Sequence, residues 1–213
     1  MINIFSSNSD TIIRVLNQFQ SQQAIVVIWE KDFHANLALY ELVNGSCKLV
    51  DRMPANVGRN GVGKTKEGDQ KSPTGIFSLA AAFGNAPPPE GTKYPYIQLT
   101  QQDYWVDDSR SIYYNKWVRL QDGSLKDWNS AECLWQETTC YKHAIIINYN
   151  SVREPEKGSA IFLHVWADGN SPTHGCTAVS EANMIRILKW LDFEKEPLII
   201  QGRYEDVISI TKE

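Results

Sequence analysis

Cys176 and His164 are the residues of this sequence best suited to chemistry. Cys176 closes the run Thr173-His174-Gly175-Cys176, and His164 lies upstream in the apolar run Ile161-Phe162-Leu163-His164-Val165-Trp166. A free thiol, with a pKa of about 8.5, is only a few per cent thiolate at neutral pH. An imidazole within hydrogen-bond reach can take its proton and later return it to a leaving amine. That pairing describes nucleophilic acyl transfer through a thioester. Gly175 lets a substrate approach the backbone closely, and amides near Cys176 suit a developing oxyanion.

These residues need elements to position them. The apolar run reads as a strand that enters a turn-rich loop (Asp168, Gly169, Asn170, Ser171, Pro172) and returns as a second short strand. Paired antiparallel with His164 opposite Cys176, the two would place both side chains on one face, their Cβ atoms about 4.5–5.5 Å apart. His174 would share that face by the strand period of two. Other readings of the same residues stay open. Cys176 alone suits a buried structural thiol, His164 alone a hydrogen-bonded core histidine, and His164, His174 and Cys176 together three zinc ligands.

The rest of the chain is strand-rich. After a short helix capped by Ser9, with Ile12, Ile13, Leu16 and Phe19 at helical spacing, β-rich runs cover Ala24–Trp29, Ala35–Val43 and Cys47–Arg52. Asn44-Gly45 joins the last two as a two-residue hairpin turn. Further strands are expected at Gly75–Leu79, Tyr96–Thr100, His143–Tyr149, Ala160–Trp166 and Leu198–Gln201. A second helix is expected after Ser180, with Met184, Ile185, Ile187, Leu188 and Leu191 as its buried stripe. The expectation is one mostly β domain with peripheral helices, an α+β fold spanning residues 1–213.

Composition narrows the function. With 42% hydrophobic and 22% charged residues and a formal net charge of -4, nothing draws this surface toward nucleic acid or anionic lipid. No apolar stretch is long enough to span a bilayer, and residues 1–9 have no secretory signal pattern. Four cysteines (Cys47, Cys133, Cys140, Cys176) without a CxxC pair make no disulfide scaffold; Cys133 and Cys140 are either ordinary thiols or a single bridge. Gly58-Arg59-Asn60-Gly61-Val62-Gly63-Lys64-Thr65 satisfies the phosphate-loop consensus. The residues that follow, interrupted by Gly68, Pro73 and Gly75, cannot open the helix such a loop requires, so the segment reads as a glycine-rich surface loop.

Thr173-His174-Gly175-Cys176, preceded by His164 on a strand, resembles the signature of L,D-transpeptidase catalytic domains, the YkuD-like family. Lys71-Ser72-Pro73-Thr74-Gly75-Ile76-Phe77 is similar to a second family block. Gly58-Arg59-Asn60-Gly61, Glu67-Gly68-Asp69, Ala82-Phe83-Gly84, Tyr113-Tyr114-Asn115, Tyr149-Asn150 and Gly158 to His164 extend the resemblance over about 53–200. It implies a β-sandwich-type domain and a cysteine enzyme acting on peptidoglycan stem peptides. Cys176 would attack the carbonyl on the L-centre of a diamino acid, with His164 as base and His174 and Gly175 beside it. Water or an amine would resolve the thioester, giving L,D-carboxypeptidase or L,D-transpeptidase activity without a cofactor or metal. Tyr114, Asn115, Glu132 and Thr173 are the candidate substrate contacts.

This chain departs from well-studied members in two ways. It places only nine residues between the two histidines, and it has Ala178 where they carry Arg or Asn. The shorter loop favours hydrolysis. Residues 1–50 lie outside the resemblance and read as a branch-specific addition, of helix plus strands, that packs on the domain or binds a protein partner. The implied substrate places the site of action in the periplasm or outside the cell, by an unknown export route, and an antibacterial effector is one such setting. The alternative function is a non-catalytic wall-binding module, for which seven tryptophans and nine tyrosines offer stacking surfaces.

Overall fold

The computed structural model describes residues 9–121 and 125–210. Helix α1 (Ser9–Gln18) leads into strands β1 (Gln23–Lys31), β2 (His34–Val43), β3 (Ser46–Asn56), β4 (Gly75–Gly84) and β5 (Tyr96–Gln98). Short strands β6 (Asp103–Val106), β7 (Lys116–Arg119) and β8 (Ala131–Cys133) follow, then β9 (Ala144–Ile147), β10 (Phe162–Val165) and β11 (Thr177–Val179). Helix α2 (Glu181–Trp190), strand β12 (Leu198–Gly202) and helix α3 (Tyr204–Ile210) complete the described chain. The side chain of Ser9, expected to cap α1, lies outside the described residues.

Nine strands form one sheet in the order β12-β1-β2-β3-β11-β10-β9-β4-β5, and β12 also pairs with β4. The sheet therefore closes on itself. Strand β4 makes the closure by dividing its length: residues 75–78 pair with β12, while residues 79–84 serve β9 and β5. Strands β1 to β3, within the first 56 residues, sit in the middle of this sheet. Their period of two is visible in the packing. Ile25, Val27, Leu37 and Leu39 enter the main core, while Ala24, Val26, Ile28, Ala38 and Tyr40 face α1 and α3.

The Asn44-Gly45 turn behaves as its sequence requires. Both residues have positive φ (50° and 75°), the geometry of a type I′ turn matched to strand twist. Helix α2 is also as expected. The Ser180 side chain accepts from Asn183 N at 3.3 Å, and Met184, Ile187, Leu188 and Leu191 join the core, with Ile185 only partly buried.

The pairing of the strands around Cys176 differs from the sequence expectation. Strands β10 and β11 are parallel, with His164 opposite Ala178, and Cys176 lies one residue before β11. The loop between them explains this. Asn56 Nδ2 donates to Gly169 O and Ser171 O (3.2 and 3.0 Å), Arg59 N donates to Thr173 O (2.9 Å) and Thr173 N to Val57 O (3.0 Å). Tied to the end of β3, the chain swings out over the neighbouring strand and re-enters the sheet in its original direction. A direct hairpin would have reversed it.

A second, three-stranded sheet, β7-β6-β8, packs on the outer face of the closed one. The join is aromatic. Phe162 on β10 meets Phe83, Trp105 and Tyr141 edge-to-face, with ring centroids 5.2, 5.0 and 5.5 Å apart. Such pairs add about 0.5–1.5 kcal/mol each beyond the area they bury. Phe162→Ala should therefore destabilise the protein by about 3–5 kcal/mol in urea unfolding. A loss under about 1 kcal/mol would mean that this cluster does not couple the two sheets.

Candidate active site

Alternation along β10 decides which face His164 uses. Leu163 and Val165 point into the main core, so Phe162 and His164 point outward, toward the small sheet. The cross-strand neighbours of His164 are Ala144 and Ala178, small residues that leave room for the ring. Its Nδ1 lies 2.7 Å from Val165 O. A carbonyl only accepts, so Nδ1 carries the proton and Nε2 is left with a free lone pair. Tyr141 packs against the ring edge-on at 5.8 Å.

Cys176 is held by its backbone. Its carbonyl accepts from Ser72 Oγ (2.8 Å) and Thr173 Oγ1 (2.6 Å), and the Ser72 hydroxyl also accepts from Gly58 N (2.9 Å). The thiol donates to Ala160 O and accepts from Phe162 N, both at 3.3 Å. These backbone groups, not His164, are the resting partners of Sγ. Gly175, at φ 144°, donates its N–H to Thr173 Oγ1 (3.1 Å).

Cys176 and His164 open onto one cavity of about 530 Å³. Glu132, Thr173, His174 and Gly175 also line it, so six of the sequence-predicted site residues converge there. His174 sits in the loop rather than on a strand and is exposed, so it does not share a strand face with Cys176. Thr173 is engaged in pinning the loop. Tyr114 and Asn115 lie behind the wall. The Tyr114 hydroxyl donates to Glu67 Oε2 (2.7 Å) and accepts from Gly158 N (3.1 Å). Asn115 Oδ1 accepts from Trp105 Nε1 (3.0 Å) and Ala160 N (3.3 Å), and its amide donates to Tyr149 O (3.2 Å) and Asn150 O (3.0 Å). Both brace the segment that carries the resting partner of the thiol. Cavity residues that sequence reasoning passed over include Lys64, Asp107, Glu137 and Tyr141. Only Lys64 carried a signal, inside a segment expected to be a glycine-rich surface loop; the segment is instead largely packed inward, with Gly58, Gly61, Val62 and Lys64 buried.

Burial sets the electrostatics. Desolvation, reinforced by the Glu132 carboxylate, pushes the Cys176 thiol up to about 12, and desolvation brings the His164 imidazole down to about 4. Both shifts oppose moving the proton from thiol to imidazole. The resting pair is therefore neutral. Glu132 is itself raised to about 7 by burial, and its Oε2 accepts from the Tyr141 hydroxyl at 2.6 Å.

The phosphate-loop segment opens no helix. Lys64 Nζ contacts Asp69 Oδ1 at 3.0 Å, and an added Cβ at Gly61 would meet the Trp29 ring at 3.1 Å. All four cysteines are free thiols. Among the described residues no three His, Cys, Asp or Glu side chains are grouped to hold a metal ion.

A family model described as the L,D-transpeptidase catalytic domain, YkuD, matches residues 30–200. The match thus takes in β2 and β3 as well as the later motifs. No curated protein sequence matches the chain. Among solved structures, Bd1075 of Bdellovibrio bacteriovorus is 17% identical with a TM-score of 0.46; the match covers 90% of this chain and 54% of that one. The helical cell shape determining protein Pgp2 of Campylobacter jejuni is 14% identical, also at 0.46, with 86% of this chain and 48% of that one covered. The chain spans about half the length of these structures.

The buried histidine gives a pH signature. Its pKa falls from an ordinary 6.5 to about 4, so between these values the unfolded chain binds more protons than the folded one. Its contribution is present above pH 6.5 and is lost as pH falls toward 4, by about 3 kcal/mol. Glu132, raised from 4.5 to about 7, acts with the opposite sign, so the comparison must be with a variant. Wild type should lose about 3 kcal/mol more than His164→Gln between pH 6.5 and 4 in urea titrations. Parallel pH profiles would contradict a neutral, buried His164.

Proposed function

The chain belongs to the L,D-transpeptidase catalytic domain family, YkuD, and from that premise we propose that it is a cysteine enzyme cleaving peptidoglycan stem peptides at an L,D peptide bond. The observation that carries this reading is the pairing of Cys176 with a neutral His164 on one cavity, with Nε2 of the imidazole unprotonated. A neutral base needs no prior ionisation to act.

The steps follow from that state. His164 Nε2 takes the thiol proton as Sγ attacks the scissile carbonyl on the L-centre of a diamino acid. A tetrahedral adduct forms, and the carbonyl oxygen carries the negative charge. As the adduct collapses, the C–N bond breaks and the imidazolium returns the proton to the departing amine, releasing a D-amino acid. The acyl group remains on Cys176 as a thioester. His164 then takes a proton from water, whose oxygen attacks the thioester carbonyl, and the thiol is regenerated. An acceptor amine in place of water would give a cross-link.

Hydrolysis is the favoured outcome. The loop over Cys176 is short, and His174 at its rim is exposed, so water reaches the thioester readily. His164 acts as base and Cys176 as nucleophile; Gly175 leaves the approach to Cys176 unobstructed; Glu132 is the polar wall facing substrate. The substrate places the enzyme's work outside the cytoplasmic membrane. Among the described residues no helix is long and apolar enough to cross a membrane.

Purified tetrapeptide and pentapeptide muropeptides, incubated with enzyme and followed by mass spectrometry, test the reading. Wild type should release the terminal D-alanine of the tetrapeptide. Cys176→Ala should abolish release, and His164→Gln should slow it by about 10²–10⁴-fold. Unchanged muropeptides with fresh wild-type enzyme, or release that survives Cys176→Ala, would sink the proposal.

A further inference from the structure

Lys64, the lysine of the phosphate-like loop, has no part in the steps above, yet the fold takes unusual care to deliver it. Its side chain is only 2% exposed and its ammonium lies 3.0 Å from Asp69 Oδ1. Asp69 is fixed independently, accepting from Thr65 N (2.8 Å), Lys66 N (3.2 Å) and Lys71 N (3.0 Å). These donors hold its carboxyl below the usual carboxylate range against the upward push of burial.

Two glycines in the left-handed region make the passage for the lysine. A Cβ at Gly158 (φ 124°) would collide with Lys64 Cε. A Cβ at Gly175 (φ 144°), the residue before the thiol, would stand 3.7 Å from Nζ. The stem thus threads between the backbone of Gly158 and that of Gly175, and the ammonium reaches the wall of the Cys176 cavity. An ammonium has three donors, and Asp69 takes one. Histidines aside, every other ionisable acid or base of the lining except the thiols and Tyr141 is a carboxylate: Glu67, Asp107, Glu132 and Glu137. One of them, Asp107, has a buried Oδ1 without a hydrogen-bond partner. Glu132 apart, whose carboxyl burial pushes toward its neutral form, these carboxylates repel an anionic group entering the cavity, and the Lys64 ammonium attracts it.

We propose that Lys64 is the carboxylate-binding residue of this site, holding the C-terminal carboxylate of the peptide so that its last peptide bond lies over Cys176. The inference rests on the peptidase reading above and adds the reason for cutting at the chain end. The terminal carboxyl lies about one residue's span (~3.8 Å) from the scissile bond, and Lys64 stands beside the residue next to the nucleophile. A substrate extended beyond that residue would lack the anion at the right distance.

Binding separates this role from catalysis. In Cys176→Ala protein, calorimetry would compare a stem tetrapeptide ending in D-alanine with its C-terminal amide. The free acid should bind roughly 10- to 100-fold more tightly, the range of a charge-assisted hydrogen bond. Adding Lys64→Met should remove that preference while leaving amide binding unchanged, and Lys64→Arg should keep it. Equal binding of acid and amide in the Cys176→Ala background would overturn the inference even if Lys64→Met failed to fold. So would a Lys64→Met protein that still prefers the acid, or one that loses acid and amide equally. A wild-type enzyme that cleaves nothing would defeat the peptidase reading, and this binding comparison would still return its own answer.

Discussion

Desolvation of a thiol and an imidazole on the same sheet face is the condition on which the rest of the structure depends. Ionising either side chain there is costly, so the fold must place two reactive groups close together without letting them exchange a proton at rest. It does so by giving each a backbone partner. Val165 O takes the Nδ1 proton of His164, and the backbone at Ala160 and Phe162 engages Sγ. Aromatic side chains of both sheets back them on the side away from the cavity. Without Phe162, Tyr141 and Trp105 packed together, the site would be wetter and the two groups would return toward their ordinary pKa values.

Positioning follows from the loop that precedes Cys176. Eleven residues (166–176) leave the sheet after β10 and return in parallel, anchored on Asn56, Val57 and Arg59. Ser72, fully buried, links this loop to the glycine-rich segment, because its hydroxyl donates to Cys176 O while accepting from Gly58 N. Gly58 tolerates no side chain at that contact: a Cβ would sit 2.8 Å from Ser72 N and Lys71 Cα. The segment that mimics a phosphate loop is thus the bed on which Cys176 rests. Its glycines serve close backbone approach, which is the same physical property a phosphate loop uses for another end.

Much of this was legible in the sequence. The Asn44-Gly45 turn, the long strands and the Ser180-capped helix follow from local chemistry, and the structure places each where its pattern predicts. The small sheet was not legible. Strands of three or four residues (β6, β7, β8) leave too short a period to read, and their Trp and Tyr side chains pack a sheet–sheet contact that no local signal announces. Helix α3 escaped for a similar reason, since Val207 is its one fully buried side chain. The parallel course of β10 and β11 depends on hydrogen bonds to residues over 100 positions away, such as Asn56 to Ser171. Within the site, His164 and Cys176 stand out by residue type and spacing, whereas Glu132 is singled out only through the family resemblance. Tyr114 and Asn115 were flagged by their polar–aromatic character, but the same character serves a buried hydrogen-bond network. Lys64 was visible only as part of a motif whose usual meaning does not apply here.

The covalent intermediate tests the central claim most directly. Wild-type enzyme mixed with a stem tetrapeptide, quenched in acid within milliseconds and mapped by peptide mass spectrometry, should carry the acyl group on Cys176 alone. The added mass should equal the tetrapeptide less its terminal D-alanine, and hydroxylamine should remove it. Turnover with no adduct at any time point, or an adduct on Cys140 across the cavity, would contradict the account.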